Sequence, residues 1–183
     1  RPVLQGARGR VLEIGFGTGA NLAHYPDSIQ RIETVDPDAA LGRLAARRIQ
    51  AAGWNGPERS VITHRMSAEQ LPFDSASFDT VVSTFTLCSI ANVTAALAEV
   101  RRVLRPGGQF LFLEHGLAPD AGIARWQRRL NPLQMAIAGG CHLDRQIRPL
   151  VQAAGLSISQ CDERYAAKLP RVVGWLSSGV ALA

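Results

Sequence analysis

The run Val11-Leu12-Glu13-Ile14-Gly15-Phe16-Gly17-Thr18-Gly19-Ala20-Asn21 organises the whole chain. A short apolar segment passes through three glycines into residues able to form a helix, which reads as strand, tight turn, helix. Glycine at 15, 17 and 19 lets the backbone take positive φ and come close to a ligand. The amides that open the following helix favour an anionic or polar group. Gly15, Gly17 and Ala20 also satisfy G-x-G-x-x-G/A, so the turn alone leaves the nature of the ligand open. Three glycines in five residues weaken a chain unless something approaches the backbone, which disfavours a purely structural turn.

Outward from this turn, the order of elements is that of alternating strands and helices. Residues 10–15 are apolar enough for a central strand of a parallel sheet, and 18–24 start a first helix that Pro26 cuts short. Ile32-Glu33-Thr34-Val35-Asp36 reads as the second strand. Asp36 lies about 20 residues beyond the glycine turn, where nucleotide folds place an acid on ribose hydroxyls. Its other reading is a helix cap, a role Asp38 can fill instead. A helix over 38–52 is expected to bury Leu41, Leu44, Ala45, Ile49 and Ala52, with Gly53 at its end. Ser60–His64 is a third strand, and Phe78–Phe85 a fourth with its C-terminal loop. Ligands in such sheets bind beyond the C-terminal strand edge, so Thr84, Phe85 and Leu87 are candidate contacts. Phe85 reads equally as a core aromatic, and His64 and Cys88 as packing or surface residues.

Residues 91–104 form a helix with Val93, Leu97, Val100 and Leu104 on one face, stopped by Arg105-Pro106-Gly107-Gly108. A fifth strand, QFLFLEHG, ends at Glu114-His115-Gly116, again at the ligand edge. Beyond it Ile123, Trp126 and Leu130 stand at helical spacing, Asn131-Pro132 restarts a helix, and Gly139-Gly140 breaks it. Residues 117–143 sit where a lid over a substrate pocket would sit. A helix over 144–154 follows, and 156–163 and 171–183 read as two final strands paired as a hairpin.

Composition bounds the function. At 183 residues one domain is expected over 1–183, and no uninterrupted apolar run approaches a membrane span. The net charge is +5, Lys168 is the sole lysine, and no run of like charge exceeds two residues, which speaks against a nucleic-acid partner. Cys88, Cys141 and Cys161 are far apart and form no C-x-x-C pair, so neither a disulfide framework nor a zinc site is expected. Cys141 and His142, being adjacent, cannot fill a metal site alone, and no metal is assigned. A reducing, cytoplasmic setting is expected, with peripheral membrane contact left open and no integral membrane segment.

Glu13 ahead of the glycines in E-x-G-x-G-x-G, VDPD at 35–38, AEQLPF at 68–73, SFDTVV at 77–82 and LRPGG at 104–108 together resemble the class I S-adenosylmethionine-dependent methyltransferases, in their small-molecule ("type 11") branch. Within it GTGANLAHYP, FLEH, RWQRRLNP and GGCHLDR look like the group of methyltransferase-like thiol S-methyltransferases. The resemblance implies an α/β, Rossmann-like class I methyltransferase fold. Its sheet has seven mostly parallel strands with an antiparallel last strand and helices on both faces. It implies S-adenosyl-L-methionine as cofactor, leaving S-adenosyl-L-homocysteine. The residues carried over for cofactor binding are Glu13, Gly15, Phe16, Gly17, Thr18, Gly19, Asn21, Asp36, Pro37, Ser67, Ala68, Glu69, Thr84 and Phe85. Glu13 would lie near the charged methionine end, and Ala68 and Glu69 near adenine; Glu69 also reads as an exposed acid at a helix start. In the family LRPGG makes a tight helix-to-strand reversal. Two departures stand out: Phe16 replaces the family's usual cysteine or alanine, and the lead-in before the first strand is short. The helices that family members carry there are expected to be missing, and part of the acceptor site with them.

Methyl transfer from a sulfonium is an in-line displacement that mainly needs alignment. A base matters only where the acceptor must lose a proton; His115 is the candidate by chain position, its other reading being a strand-end residue bonded to backbone. Leu87, His115, Trp126, Cys141 and His142 are the candidate acceptor contacts. The apolar residues of the lid stretch, Ile123, Trp126, Leu130, Leu133, Met135 and Ile137, exceed what one helix face needs, so a surplus is expected to line a pocket. A small apolar acceptor follows: thiol first, then lipid amine or quinone. The alternatives are a non-catalytic module binding the same cofactor and an NAD-type dinucleotide-binding protein. A base-amino methyltransferase of nucleic acid would carry N/D-P-P-Y/F where Ser83-Thr84-Phe85-Thr86 stands.

Overall fold

The computed structural model describes residues 1–39 and 42–183. Seven strands form one sheet: β1 (Val11–Ile14), β2 (Arg31–Val35), β3 (Ser60–His64), β4 (Phe78–Thr84), β5 (Leu104–His115), β6 (Ser157–Tyr165) and β7 (Trp175–Leu182). Their order is β3-β2-β1-β4-β5-β7-β6. The strands from β3 to β5 run parallel, while β7 is antiparallel to both β5 and β6. The chain leaves β1 for β2 on one side and returns to β4 on the other. The C-terminal ends of β1 and β4 therefore open a crevice, the usual ligand site of such sheets.

Neighbouring side chains of a strand point to opposite faces, so a continuous apolar strand must serve two cores. β1 sends Leu12 and Ile14 to one core and Val11 to the other. β5 does the same with Phe110 and Phe112 against Leu111. On the first face α2 (Val93–Val103) buries Ala96, Leu97, Val100 and Val103, and α4 (Ile147–Ala153) buries Ile147 and Val151. On the second, α1 (Gly42–Ala51) brings Ala45 against Trp54, Tyr25 and Ile32. Helices thus cover both faces, as the fold class requires. α2 starts at Asn92, whose side chain accepts from the Ala95 amide at 3.0 Å.

Several local expectations are corrected. The first helix, expected over 18–24, is a set of turns with one 3₁₀ turn at Leu22–His24, because Gly19 takes φ +74° and Pro26 bars continuation. Leu44 is 52% exposed rather than buried, and Ala52 is exposed; Leu41 lies outside the described residues. LRPGG does stand at the passage from helix to strand, since α2 ends at Val103 and β5 begins at Leu104, but its residues also carry an irregularity of β5. Between Phe78 and Thr80 of β4 the partner strand advances from Leu104 to Gln109, and Gly107 at φ +74° accommodates the bulge. Asn131-Pro132 starts no new helix, since α3 runs unbroken from Ala121 to Ile137 with Pro132 inside. Asn131 instead uses its side chain to accept from the Leu143 amide at 2.8 Å. The last segment opens with a helical turn, α5 (Arg171–Gly174), before β7. Among the described residues no helix is long and apolar enough to cross a membrane.

Candidate functional site

A cleft of about 700 Å³ opens at the C-terminal ends of β1, β2 and β4. Of the residues singled out from sequence, Glu13, Gly15, Phe16, Gly17, Thr18 and Asn21 line it from the β1 side. Asp36 and Pro37 follow β2, Ser67, Ala68 and Glu69 follow β3, and Thr84 and Phe85 end β4. Gly19 is not among the lining residues, and Phe16 lies mostly beneath them, 5% exposed.

The three glycines divide their work. Gly15, at φ +70°, has no room for a side chain, since a Cβ there would stand 2.0 Å from Thr86 Oγ1. Gly17, at φ +57°, has nothing within 4 Å of where its Cβ would project. Gly15 therefore serves the packing of two loops, and Gly17 leaves open space at the wall of the cleft. Asp36 binds backbone on both sides: Oδ2 accepts from the Gly17 amide at 2.7 Å and Oδ1 from the Asp38 amide at 2.8 Å. It thus ties the glycine turn to the end of β2. Since Pro37, Asp38 and Ala39 are not helical, Asp36 does not act as a helix cap. Thr18 accepts from Arg48 of α1 at 2.6 Å.

Glu13 is 1% exposed in the middle of β1. Burial pushes its carboxyl up to about 7, against the opposing pull of Tyr25 Oη donating at 2.6 Å and Asn21 Nδ2 donating at 2.8 Å. Asn21 also reaches Thr84 Oγ1 at 2.9 Å, and the Arg1 guanidinium donates to the Asn21 side-chain oxygen. This polar knot fixes one end of the cleft. At the other end Glu69 is half-buried and accepts from the Asn92 amide at 2.7 Å, at the entry to α2 rather than as the start of a helix of its own.

Sequence reasoning passed over Glu114, which the structure puts behind the β4 loop with no exposure. It accepts from Ser83 Oγ at 2.7 Å and from the Thr86 amide at 2.9 Å, and burial pushes its carboxyl up to about 7. By holding Thr86, Glu114 sets the loop that carries Phe85, a 40% exposed aromatic at φ +53°. An aromatic residue with positive φ is strained, and a ligand-facing position is the common setting for such strain. Phe85 is therefore not a core aromatic. The only sequence signal for Glu114 was an acid at the end of an apolar strand.

The proposed acceptor contacts scatter. Leu87 is fully buried, and Trp126 is 55% exposed on α3 under the Arg129 guanidinium. Leu133, Met135 and Ile137 are likewise exposed, and the α3 end reaches the cleft only through Ala138 and Gly139, at its C-terminal side. His142 is half-buried, 3.5 Å from Asn131 and 3.9 Å from Asp144. His115 is bonded not to backbone but to a thiol: its Nε2 lies 3.0 Å from Cys141 Sγ. Cys88, read from sequence as a packing or surface residue, joins this pair, with ligand atoms of all three within 4.8 Å of one another. The Cys141 thiol is pulled down by its hydrogen bonds with Cys88 and His115, while the same bond and burial push Cys88 up.

Comparison with known proteins agrees with this architecture. A family model described as "Methyltransferase domain" matches residues 12–112. Thiol S-methyltransferase TMT1B of Rattus norvegicus is 35% identical over 153 residues, covering 83% of this chain and 62% of the relative. The human protein of the same name is 35% identical over 179 residues, covering 96% and 70%. The chain thus spans between three fifths and seven tenths of the length of these relatives. Among solved structures, a SAM-dependent methyltransferase from Methanosarcina mazei superposes with a TM-score of 0.76 at 18% identity, covering 100% of this chain and 97% of that one.

Proposed function

The chain belongs to the S-adenosylmethionine-dependent methyltransferases, and on that footing we propose that it moves a methyl group from S-adenosylmethionine to a small apolar acceptor. A thiol is the first choice, then a lipid amine or a quinone. The observation that carries the reading is the convergence of Glu13, Asp36, Glu69 and the bare backbone at Gly17 on one cleft at the sheet's switch point. The cleft falls in the ordinary size range of small-molecule sites, and Gly17 lines it with open space where a Cβ would stand. S-adenosylmethionine fits this donor set. Asp36 spends one lone pair of each oxygen on backbone amides and keeps others for ribose hydroxyls. Glu13 suits the cationic methionine end, and Ala68 and Glu69 border the adenine side.

When bound, the cofactor supplies a methyl group already activated on a positive sulfur. The protein's share is to align the acceptor and exclude water. A thiol with a pKa near that of free cysteine is partly ionised at neutral pH and needs little base catalysis. That agrees with a site whose best-placed histidine, His115, is engaged with a cysteine. The two relatives, both named thiol S-methyltransferases, support the same acceptor class. Ala138 and Gly139 give the segment after Gly116 a border on the acceptor side.

The test is transfer of labelled methyl from S-adenosylmethionine to a panel of thiol, phenol, amine and quinone acceptors, alongside thermal-shift comparison of S-adenosylhomocysteine with NAD. Label on the thiol, and stabilisation by S-adenosylhomocysteine alone, is the expected outcome. Transfer only to polynucleotide or protein side chains would overturn the acceptor class. Stabilisation by NAD alone would overturn the cofactor.

A further inference from the structure

Three chemically soft or borderline ligands meet at the rear of the cleft. Cys88 comes from the loop after β4, His115 from the last position of β5, and Cys141 from the loop after α3. Their ligand atoms all lie within 4.8 Å of one another. In a tetrahedral zinc site with bonds of ~2.0–2.3 Å, neighbouring donors stand ~3.5–3.8 Å apart. The cluster brackets that value, from the 3.0 Å between His115 Nε2 and Cys141 Sγ up to its 4.8 Å limit.

The backbone holds the three ligands in register. The Cys88 carbonyl accepts from the His142 amide at 2.9 Å, which ties the two cysteine loops together. Arg145 donates to the Leu87 carbonyl, and the Gly116 amide donates to Trp175 of β7 at 3.1 Å, fixing the end of β5. Side chains held this way form a site before any ligand arrives. His115 Nε2 already faces Cys141, and Nδ1 is the one buried side-chain polar atom without a hydrogen-bond partner among the described residues. Leaving such an atom unpaired is costly, so its presence asks for a function.

We propose that Cys88, His115 and Cys141 form a binding site for a thiophilic divalent cation, zinc in the first place, with three protein ligands and an exchangeable fourth position. Two sulfurs and one imidazole select zinc over magnesium or calcium, which take oxygen ligands. On binding, the two thiols release their protons, and a divalent ion between two thiolates leaves the buried cluster neutral. Bare thiolates there would pay the full cost of buried charge. Three protein ligands with one open place is the pattern of catalytic rather than structural zinc. Arg145, which donates to the Leu87 carbonyl beside Cys88, adds positive charge next to that neutral core and favours an anionic fourth ligand. Ser89, next to Cys88, and Gly139, two residues before Cys141, both line the cleft, so the site adjoins the space assigned to the acceptor. A thiol taking the fourth position gives its proton to solvent and is held as thiolate; this assignment of the fourth ligand rests on the thiol reading above.

The test uses the full 183-residue chain, kept reduced with a phosphine, and cobalt(II) as a spectroscopic stand-in for zinc. Wild-type protein is expected to bind one cobalt ion per chain with thiolate-to-cobalt charge-transfer absorption. Zinc should displace the cobalt, and 2-mercaptoethanol should shift the band. Cys161→Ser, a half-buried cysteine of β6 outside the cluster, should leave the spectrum intact. Cys88→Ser and Cys141→Ser should each weaken binding by more than the ~10–100-fold that losing an outer-shell partner costs. Folded, reduced wild-type protein with no such band, or a band surviving in both serine variants, would overturn the site, and the wild-type spectrum decides even if a variant fails to fold. A band that ignores 2-mercaptoethanol would overturn the exchangeable fourth position. No methyl donor enters these measurements, so a failed acceptor assignment shows up separately, as cobalt binding without methyl transfer to thiols.

Discussion

Gly15 and Gly17 are two residues apart in one turn, and the structure assigns them opposite fates on substitution. At Gly17 an added Cβ meets nothing within 4 Å, so the cost of Gly17→Ala is conformational. Holding an L-residue at φ +57° costs roughly 1–2 kcal/mol. For a chain of this size that lowers Tm by about 2–8 °C, and the protein remains folded. Gly17 lines the cleft, so a side chain there should lower affinity for S-adenosylhomocysteine by about tenfold or more, ~1.4 kcal/mol; Gly17→Val should abolish it. At Gly15 the Cβ would stand 2.0 Å from Thr86 Oγ1 and 2.2 Å from its Cγ2, and Glu114 holds the Thr86 amide against retreat. Overpacking of ~1–3 kcal/mol adds to a left-handed cost of ~1–2 kcal/mol, so Gly15→Ala should lower Tm two to three times further. Calorimetric titration with S-adenosylhomocysteine, paired with thermal unfolding of each variant, reads both quantities. A folded Gly17→Val protein that binds like wild type would refute the assignment of the open backbone to the cofactor.

Two further outcomes follow from the buried acids and from Asp36. Glu13 and Glu114 titrate near 7 in the folded chain against a model-peptide value of 4.5, so the folded state holds more protons between those values. Their contribution is complete below about 4.5 and is lost as pH rises through 7, on the order of 3 kcal/mol each. Urea unfolding between these pH values should show the decline, and Glu13→Gln should remove its share; a flat profile would contradict the burial argument. Asp36→Ala should weaken S-adenosylhomocysteine binding by ~1.5–3 kcal/mol through lost charge-assisted hydrogen bonds, measured by calorimetry on the folded fraction. Unchanged affinity with reduced Tm would return Asp36 to tying Gly17 and Asp38 and nothing more.

Periodicity and motif spacing are local properties, and what depends on them alone was readable in the amino acids. The apolar run 11–14 ending in glycine and the acid at 36 were enough for a strand-turn-helix unit with a ligand crevice at the strand ends, while the seven-stranded sheet came from the motif resemblance. Glu13, Asp36 and Thr84, at or just beyond strand ends, line that crevice because parallel register brings strand ends to one edge, whereas Gly19 and Leu87, expected there too, do not line it. Where local rules compete, they misled. Pro132 reads as a helix start, yet α3 passes through it, and Leu44 keeps helical spacing but faces solvent. The glycines of LRPGG, read as the reversal between helix and strand, also absorb a register shift between β4 and β5 that sequence did not show. What only tertiary structure decided are the convergences: Glu114 behind Thr86, Tyr25 on Glu13, and Cys88 with His115 and Cys141. Such meetings depend on the register of β4 against β5, with Thr84 opposite Leu113, and on loops pinned across the sheet edge. The partners come from different elements of the chain, so only the packed chain brings their side chains together.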